Sequence, residues 1–164
     1  MTVNDFAYLR KDLQLAKSIA KARLFYSAHH SAQVFINGTR ISGYGSPAPT
    51  RPDKRKYVLA HDVTALIKES AKGYDDTCCL AAIAHYLGGD GQNYVNALPG
   101  FRLQLELWYE DGSRETVVTD ESWQTLPQIP YERGTPYQQN RRISAIERFD
   151  ARKEDPSWNL PGYD

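Results

Sequence analysis

The clearest pattern along the chain is an alternation. Phe101, Leu103, Leu105, Leu107 and Tyr109 are separated by Arg102, Gln104, Glu106 and Trp108, a period of two that assigns one set to each face of a β-strand. Asp111-Gly112 follows and Thr116-Val117-Val118-Thr119 returns, which reads as a half-buried strand, a tight turn and its partner. Upstream, Val34-Phe35-Ile36 runs into Asn37-Gly38 and leaves through Thr39-Arg40-Ile41. Asn-Gly supplies the positive φ values of a type I′ turn, whose twist suits antiparallel strands. Further strands are expected over Ala7 to Leu15, with Ala7, Leu9, Lys11, Leu13 and Leu15 on one side. Ala22 to Ala28, Tyr57 to Ala60, Thr77 to Tyr86, Trp123 to Leu126 and Ile143 to Phe149 complete the set. One short helix is expected over Val63 to Ser70, capped by the Asp62 carboxylate, with Gly73 just past its end. Short strands separated by turn residues, with a single helical stretch, predict an all-β chain folded as an antiparallel β-sandwich.

Three stretches break the pattern. Gly43 to Lys56 carries three prolines and cannot join a sheet interior. Leu87 to Gly100 opens on Gly88-Gly89-Asp90-Gly91 and ends on Pro99-Gly100, and Pro127 to Asn140 is rich in proline, tyrosine and glutamine. Irregular segments of this length tend to be functional or to dock on something. The last ten residues, Asp155 to Asp164, read as extended, with Trp158 and Tyr163 lacking an assigned place. That points to a single domain, residues 1–164, cut from a longer chain.

Composition narrows the function classes. The 164 residues are enough for one ordinary domain. Lysine plus arginine count 20 and aspartate plus glutamate count 20, for a net charge of zero. That balance argues against a nucleic-acid binder and a polybasic membrane-surface protein. The longest apolar run, Cys78 to Ala84, is far shorter than the roughly 20 residues a membrane-spanning helix needs. The only cysteines, Cys78 and Cys79, are adjacent and point to opposite faces of a strand, a poor arrangement for a disulfide. Unpaired thiols and the lack of a signal-peptide pattern in the first 25 residues favour a cytoplasmic location.

Catalytic motifs are not visible: there is no GxSxG, no CxxC and no HxxxH. Acidic residues such as Asp62, Asp75, Asp76 and Asp111 sit where turns are expected, and capping explains them better than paired-carboxylate chemistry. Sugar binding is easier to motivate, because it joins an aromatic face to a few amides and carboxylates. The 11 tyrosines and three tryptophans supply the first element, and Asp90, Gln92, Asn93, Tyr94 and Asn96 supply the second. Asp90 and Asn93 also offer the oxygen ligands that calcium takes. The competing reading is a polar loop whose side chains cap its own backbone. Trp108, on the polar side of its strand, is either a stacking platform or, more in keeping with sandwiches, a core or docking residue.

The order of motifs resembles a known family. Ala22 to Ala28, Val34 to Ile41, Arg55-Lys56-Tyr57 and His61 to Ile67 are similar to the opening of the N-terminal β-sandwich domain of bacterial α-L-rhamnosidases. Gly89-Asp90-Gly91, Leu103 to Ser113, Thr119 to Trp123 and Arg148 to Arg152 continue the likeness over about residues 7 to 155. The resemblance implies a jelly-roll, galactose-binding-domain-like accessory domain ahead of a catalytic (α/α)6-barrel in the same polypeptide, with the catalytic acids in that barrel. It also implies an alternative role, recognition of L-rhamnose-containing glycans with calcium, carried onto Asp90 and Asn93, with Gln92 and Tyr94 beside them. The family commonly places tryptophan and tyrosine after the loop glycine, whereas here Gln92, Asn93 and Tyr94 follow Gly91.

Overall fold

Ten-residue strands with one apolar face need a second sheet to cover it, and the computed structural model supplies one. It describes residues 4–41, 55–88, 97–136 and 146–164. In chain order the elements are β1 (Asp5–Gln14), β2 (Ile19–His29), β3 (Ser31–Ile36), β4 (Thr39–Arg40), β5 (Leu59–Asp62), α1 (Thr64–Gly73), β6 (Thr77–Tyr86), β7 (Gly100–Tyr109), β8 (Arg114–Val118) and β9 (Gln124–Thr125), followed by a 3-10 turn at Ala151–Lys153. The strands form a five-stranded sheet, β4-β3-β6-β1-β9, and a four-stranded sheet, β5-β2-β7-β8, with antiparallel pairing throughout. The expected antiparallel β-sandwich with one helix is the observed fold.

The four-stranded sheet follows the alternation residue by residue. Leu103, Leu105 and Leu107 are buried in β7 and lie opposite Tyr26, Leu24 and Ala22 of β2. Val34, Ile36, Leu80 and Ala82 meet them from the other sheet, and Ile67 of α1 plugs one side of this core. Arg102, Gln104, Glu106 and Trp108 face outward.

The five-stranded sheet is covered on its other face too. Phe6 and Tyr8 of β1 and Cys79 and Ala81 of β6 form a second cluster with Ile129 and Trp158. On β1 the more deeply buried residues are therefore Phe6, Tyr8 and Arg10, and not the Ala7-Leu9-Lys11 set that the pattern emphasised. The C-terminal residues, expected to be extended, instead turn through Pro156–Asn159 and fold back on the sheet. Trp158 is only 6% exposed, with its ring 4.6 Å from Tyr8 and edge-on to Phe35 at 5.7 Å. Its covering is the chain's own sheet.

A buried arginine fastens this strap. Arg10 is 1% exposed and donates to the carbonyls of Leu160 (3.1 Å) and Tyr163 and to the Asp12 carboxylate (2.7 Å). The Asn37-Gly38 turn adds a second fastening. It has the expected positive φ values, 44° and 76°, and its Gly38 N–H donates to Asn159 O at 3.0 Å. A Cβ on Gly38 would sit 3.0 Å from Leu160 Cδ2, a tight contact that adds to the positive φ in favouring glycine.

Other boundaries shift for local reasons. The strand expected over residues 57–60 lies at Leu59–Asp62, leaving Tyr57 and Val58 more than half exposed. Asp62 accepts the Thr64 N–H and hydroxyl as expected of a cap, yet Val63 occupies the N-cap position and Gly73 is the last helical residue. The strand expected over 123–126 shrinks to Gln124–Thr125. From the one expected over 143–149, Phe149 alone bridges, to Tyr131, and residues 143–145 lie outside the described residues. Cys78 and Cys79 are free and buried, and burial pushes both thiols up to about 12.

Candidate functional site

The loop that carries Asp90, Gln92, Asn93 and Tyr94 lies outside the described residues, but its anchorage is visible. Its described flanks follow β6 of one sheet and precede β7 of the other. Tyr86 Oη donates to Ala97 O at 3.0 Å, tying the two stems together. Leu87 N–H donates to His30 Nδ1 at 2.9 Å, and Asn4 N–H to Leu87 O at 2.9 Å.

Beneath the loop stems is a layer of three histidines, His29, His30 and His85, that no spacing motif announces. The rings of His29 and His30 lie 3.9 Å apart, with Tyr86 5.6 Å from His30. Lys56 Nζ lies 2.7 Å from His29 Nδ1 and donates to Ala28 O. His85 stacks on Phe6 at 4.2 Å, and its Nε2 lies 2.7 Å from Asn4 Oδ1. Burial lowers all three histidines, His30 to about 3 and His85 to about 4, with the Lys56 charge adding to the effect on His29 and His30. They are neutral at physiological pH and act as structural hydrogen-bonding groups. Among the described residues no three His, Cys, Asp or Glu side chains converge on a metal position.

A second concavity opens on the strap side. A cleft of about 430 Å³ lies between β1, the Leu126–Pro130 segment and residues 152–158, with Tyr8 and Trp158 in its wall. No periodicity links Tyr8 to Trp158. The signal that could have shown a covered second face is the continuous apolar run of β6, the mark of a strand buried on both sides.

Several surface expectations resolve plainly. Asp62 and Asp111 accept hydrogen bonds from the backbone two residues on, as turn carboxylates do. Asp75 and Asp76 hold positive φ in the turn before β6. Trp108 is half-buried on the outer face of its sheet, outside the core, with Lys21 Nζ 5.6 Å and Arg114 Cζ 5.9 Å from its ring centre.

Two sheets in this order, the closing strap and the motif series agree with a match to the family model described as the α-L-rhamnosidase N-terminal domain, over residues 17–164. The chain belongs to this family. An α-L-rhamnosidase of Formosa agariphila is 30% identical over 165 residues, covering 96% of this chain and 16% of the relative. The solved α-L-rhamnosidase of Dictyoglumus thermophilum superposes with a TM-score of 0.76 at 29% identity, over 97% of this chain and 16% of that one. An α-L-rhamnosidase of Aspergillus terreus, at 21% identity and a TM-score of 0.72 over 97% of this chain and 18% of that one, shares the fold. The rhamnosidase N-terminal domain described here thus spans about one sixth of the length of the relatives it matches. Among its described residues no helix is long and apolar enough to cross a membrane.

Proposed function

We propose that this chain is a non-catalytic accessory domain of an α-L-rhamnosidase-like glycoside hydrolase, packing on and orienting a catalytic (α/α)6-barrel in the same polypeptide. One observation carries the reading: the chain aligns over nearly all its own length with about 16% of curated α-L-rhamnosidases. The carboxylate pair such hydrolysis needs, about 5 Å or 6.5–9.5 Å apart, then belongs to the remaining polypeptide. The purified chain is expected to leave 4-nitrophenyl α-L-rhamnopyranoside intact under conditions where a full-length relative releases nitrophenol. Turnover that co-purifies with the chain would sink the proposal. The unpaired Cys78 and Cys79 support a reducing, cytosolic setting.

A second reading assigns L-rhamnose recognition to Asp90, Gln92, Asn93 and Tyr94, with calcium held by Asp90 and Asn93. Its support is the chemistry of these four side chains and the anchorage of their flanks, where Tyr86 Oη donates to Ala97 O and Leu87 N–H to His30 Nδ1. A ligand at ten times its dissociation constant stabilises by about 1.4 kcal/mol, a midpoint shift of roughly 3–6 °C. Calcium-dependent stabilisation by L-rhamnose and not D-glucose, lost on Asp90→Ala/Asn93→Ala, is the expected result. A flat response would remove this reading and leave the first untouched.

A further inference from the structure

The strap does more than seal the sheet, because a cleft opens between the two with an aromatic residue from each in its wall. Tyr8 is 4% exposed and Trp158 6%, and both line the cleft of about 430 Å³. Neither residue belongs to the side chains with a fully buried, partnerless polar atom, so the polar ends of both rings reach the solvent of the cleft. An amphipathic ring whose apolar body is packed and whose polar end is wet is ready to donate to a ligand without first breaking a protein hydrogen bond.

The lining says what kind of occupant fits. Pro130, Pro156 and the Trp158 ring supply apolar wall, and the Gln128 amide offers both donor and acceptor. Glu154 contributes a carboxylate with no hydrogen bond among the described residues, close enough to Tyr8 to be felt electrostatically. Arg152 is occupied by a two-point pair with Asp150, at 2.8 and 2.9 Å. Around the rim the charges of Arg152 and Lys153 balance those of Glu154 and Asp155, so the local field favours neither an anion nor a cation. A neutral ligand with one apolar face and several hydroxyls matches this wall, and the volume falls within the range of small-ligand clefts.

We propose that this cleft binds one glycosyl ring of a neutral saccharide, with Tyr8 Oη and Trp158 Nε1 as donors and the Glu154 carboxylate and Gln128 amide meeting its hydroxyls. Its described lining comes from β1, residues 126–130 and the strap, and the test separates it from a calcium-dependent site on Asp90 and Asn93. It also goes beyond the accessory role, which is judged on turnover alone.

The test is an amide and indole NMR titration of the ¹⁵N-labelled chain with EDTA present, which silences any calcium-dependent site. The probes are methyl α-L-rhamnopyranoside, methyl β-D-galactopyranoside and methyl α-D-glucopyranoside, with inorganic phosphate as the charged control. Each is taken to about 50 mM, far above a millimolar dissociation constant. At least one glycoside is expected to move the Trp158 indole signal saturably, while phosphate does not and the Trp108 and Trp123 signals stay fixed. Tyr8→Phe keeps the ring and removes the hydroxyl, so it should weaken that binding about 5- to 10-fold. Glu154→Gln, at an exposed side chain, provides an independent variant and should weaken it about 3-fold or more. The proposal fails if no glycoside moves the Trp158 signal, if phosphate moves it equally, or if both variants bind like the wild type.

Discussion

The two sheets of this domain are built from similar strands but are buried differently. The four-stranded sheet covers one face and wets the other, so β7 alternates leucine with arginine, glutamine and glutamate. The five-stranded sheet is covered on both faces, by its partner sheet and by the strap. Its central strand β6 accordingly reads as an unbroken apolar run, and β1 buries a tyrosine and an arginine on the side away from the main core. Alternation therefore identifies a sheet with a wet face. A continuous run identifies one that needs a third layer, and the strap is that layer.

Substitutions can break this contrast. The largest effect is expected in the shared core: Leu105→Ala should cost about 3–4 kcal/mol in denaturant unfolding, whereas its outward neighbour Gln104→Ala should change less than about 0.5 kcal/mol. Arg10→Met comes next. It leaves the Leu160 and Tyr163 carbonyls and Asp12 Oδ1 without the guanidinium, a loss on the order of 2–3 kcal/mol. If the strap only rests on the sheet, that variant will unfold like the wild type.

The histidine layer gives a pH test. His30 and His85 have folded values below the ordinary 6.5, so the unfolded chain binds more protons between that value and about 3 or 4. Stability from this source is complete above pH 6.5 and declines as pH falls toward the folded values. By pH 5 the decline is on the order of 2 kcal/mol per histidine before relaxation of the site is considered. A His30→Gln/His85→Gln variant should show a flatter midpoint between pH 7 and 5, and an unchanged slope would contradict burial of neutral rings. Smaller again is Gly38→Ala, where a positive φ and the contact with Leu160 together cost about 1–2 kcal/mol.

What was legible in the sequence was local. The β7 alternation, the Asn37-Gly38 and Asp111-Gly112 turns and the Asp62 carboxylate at the helix start each depend on neighbours within a few residues, and each lies where expected. The strap was not legible. Tyr8 and Trp158 are 150 positions apart in sequence, and an irregular segment has no period to announce the surface it covers. Trp158 and Tyr163 have no partner nearby in sequence, because Tyr8, Phe35 and Arg10 lie on two distant strands, on the face of the sheet away from the main core. The cleft between strap and sheet was hidden for the same reason. The loop from Gly89 to Asn96 was picked out by its chemistry alone, and its geometry lies outside the described residues.

The central claim is that the C-terminal strap is an integral layer of the five-stranded sheet, and one amide reports on it directly. In an isolated hairpin turn the Gly38 N–H faces solvent. Here it donates to Asn159 O across the strap. Native-state hydrogen exchange should find Gly38 protected to nearly the same degree as the β6 amides, with Arg10→Met releasing it while β6 stays protected. Exchange of Gly38 at the rate of an open turn in the wild-type chain would contradict the account.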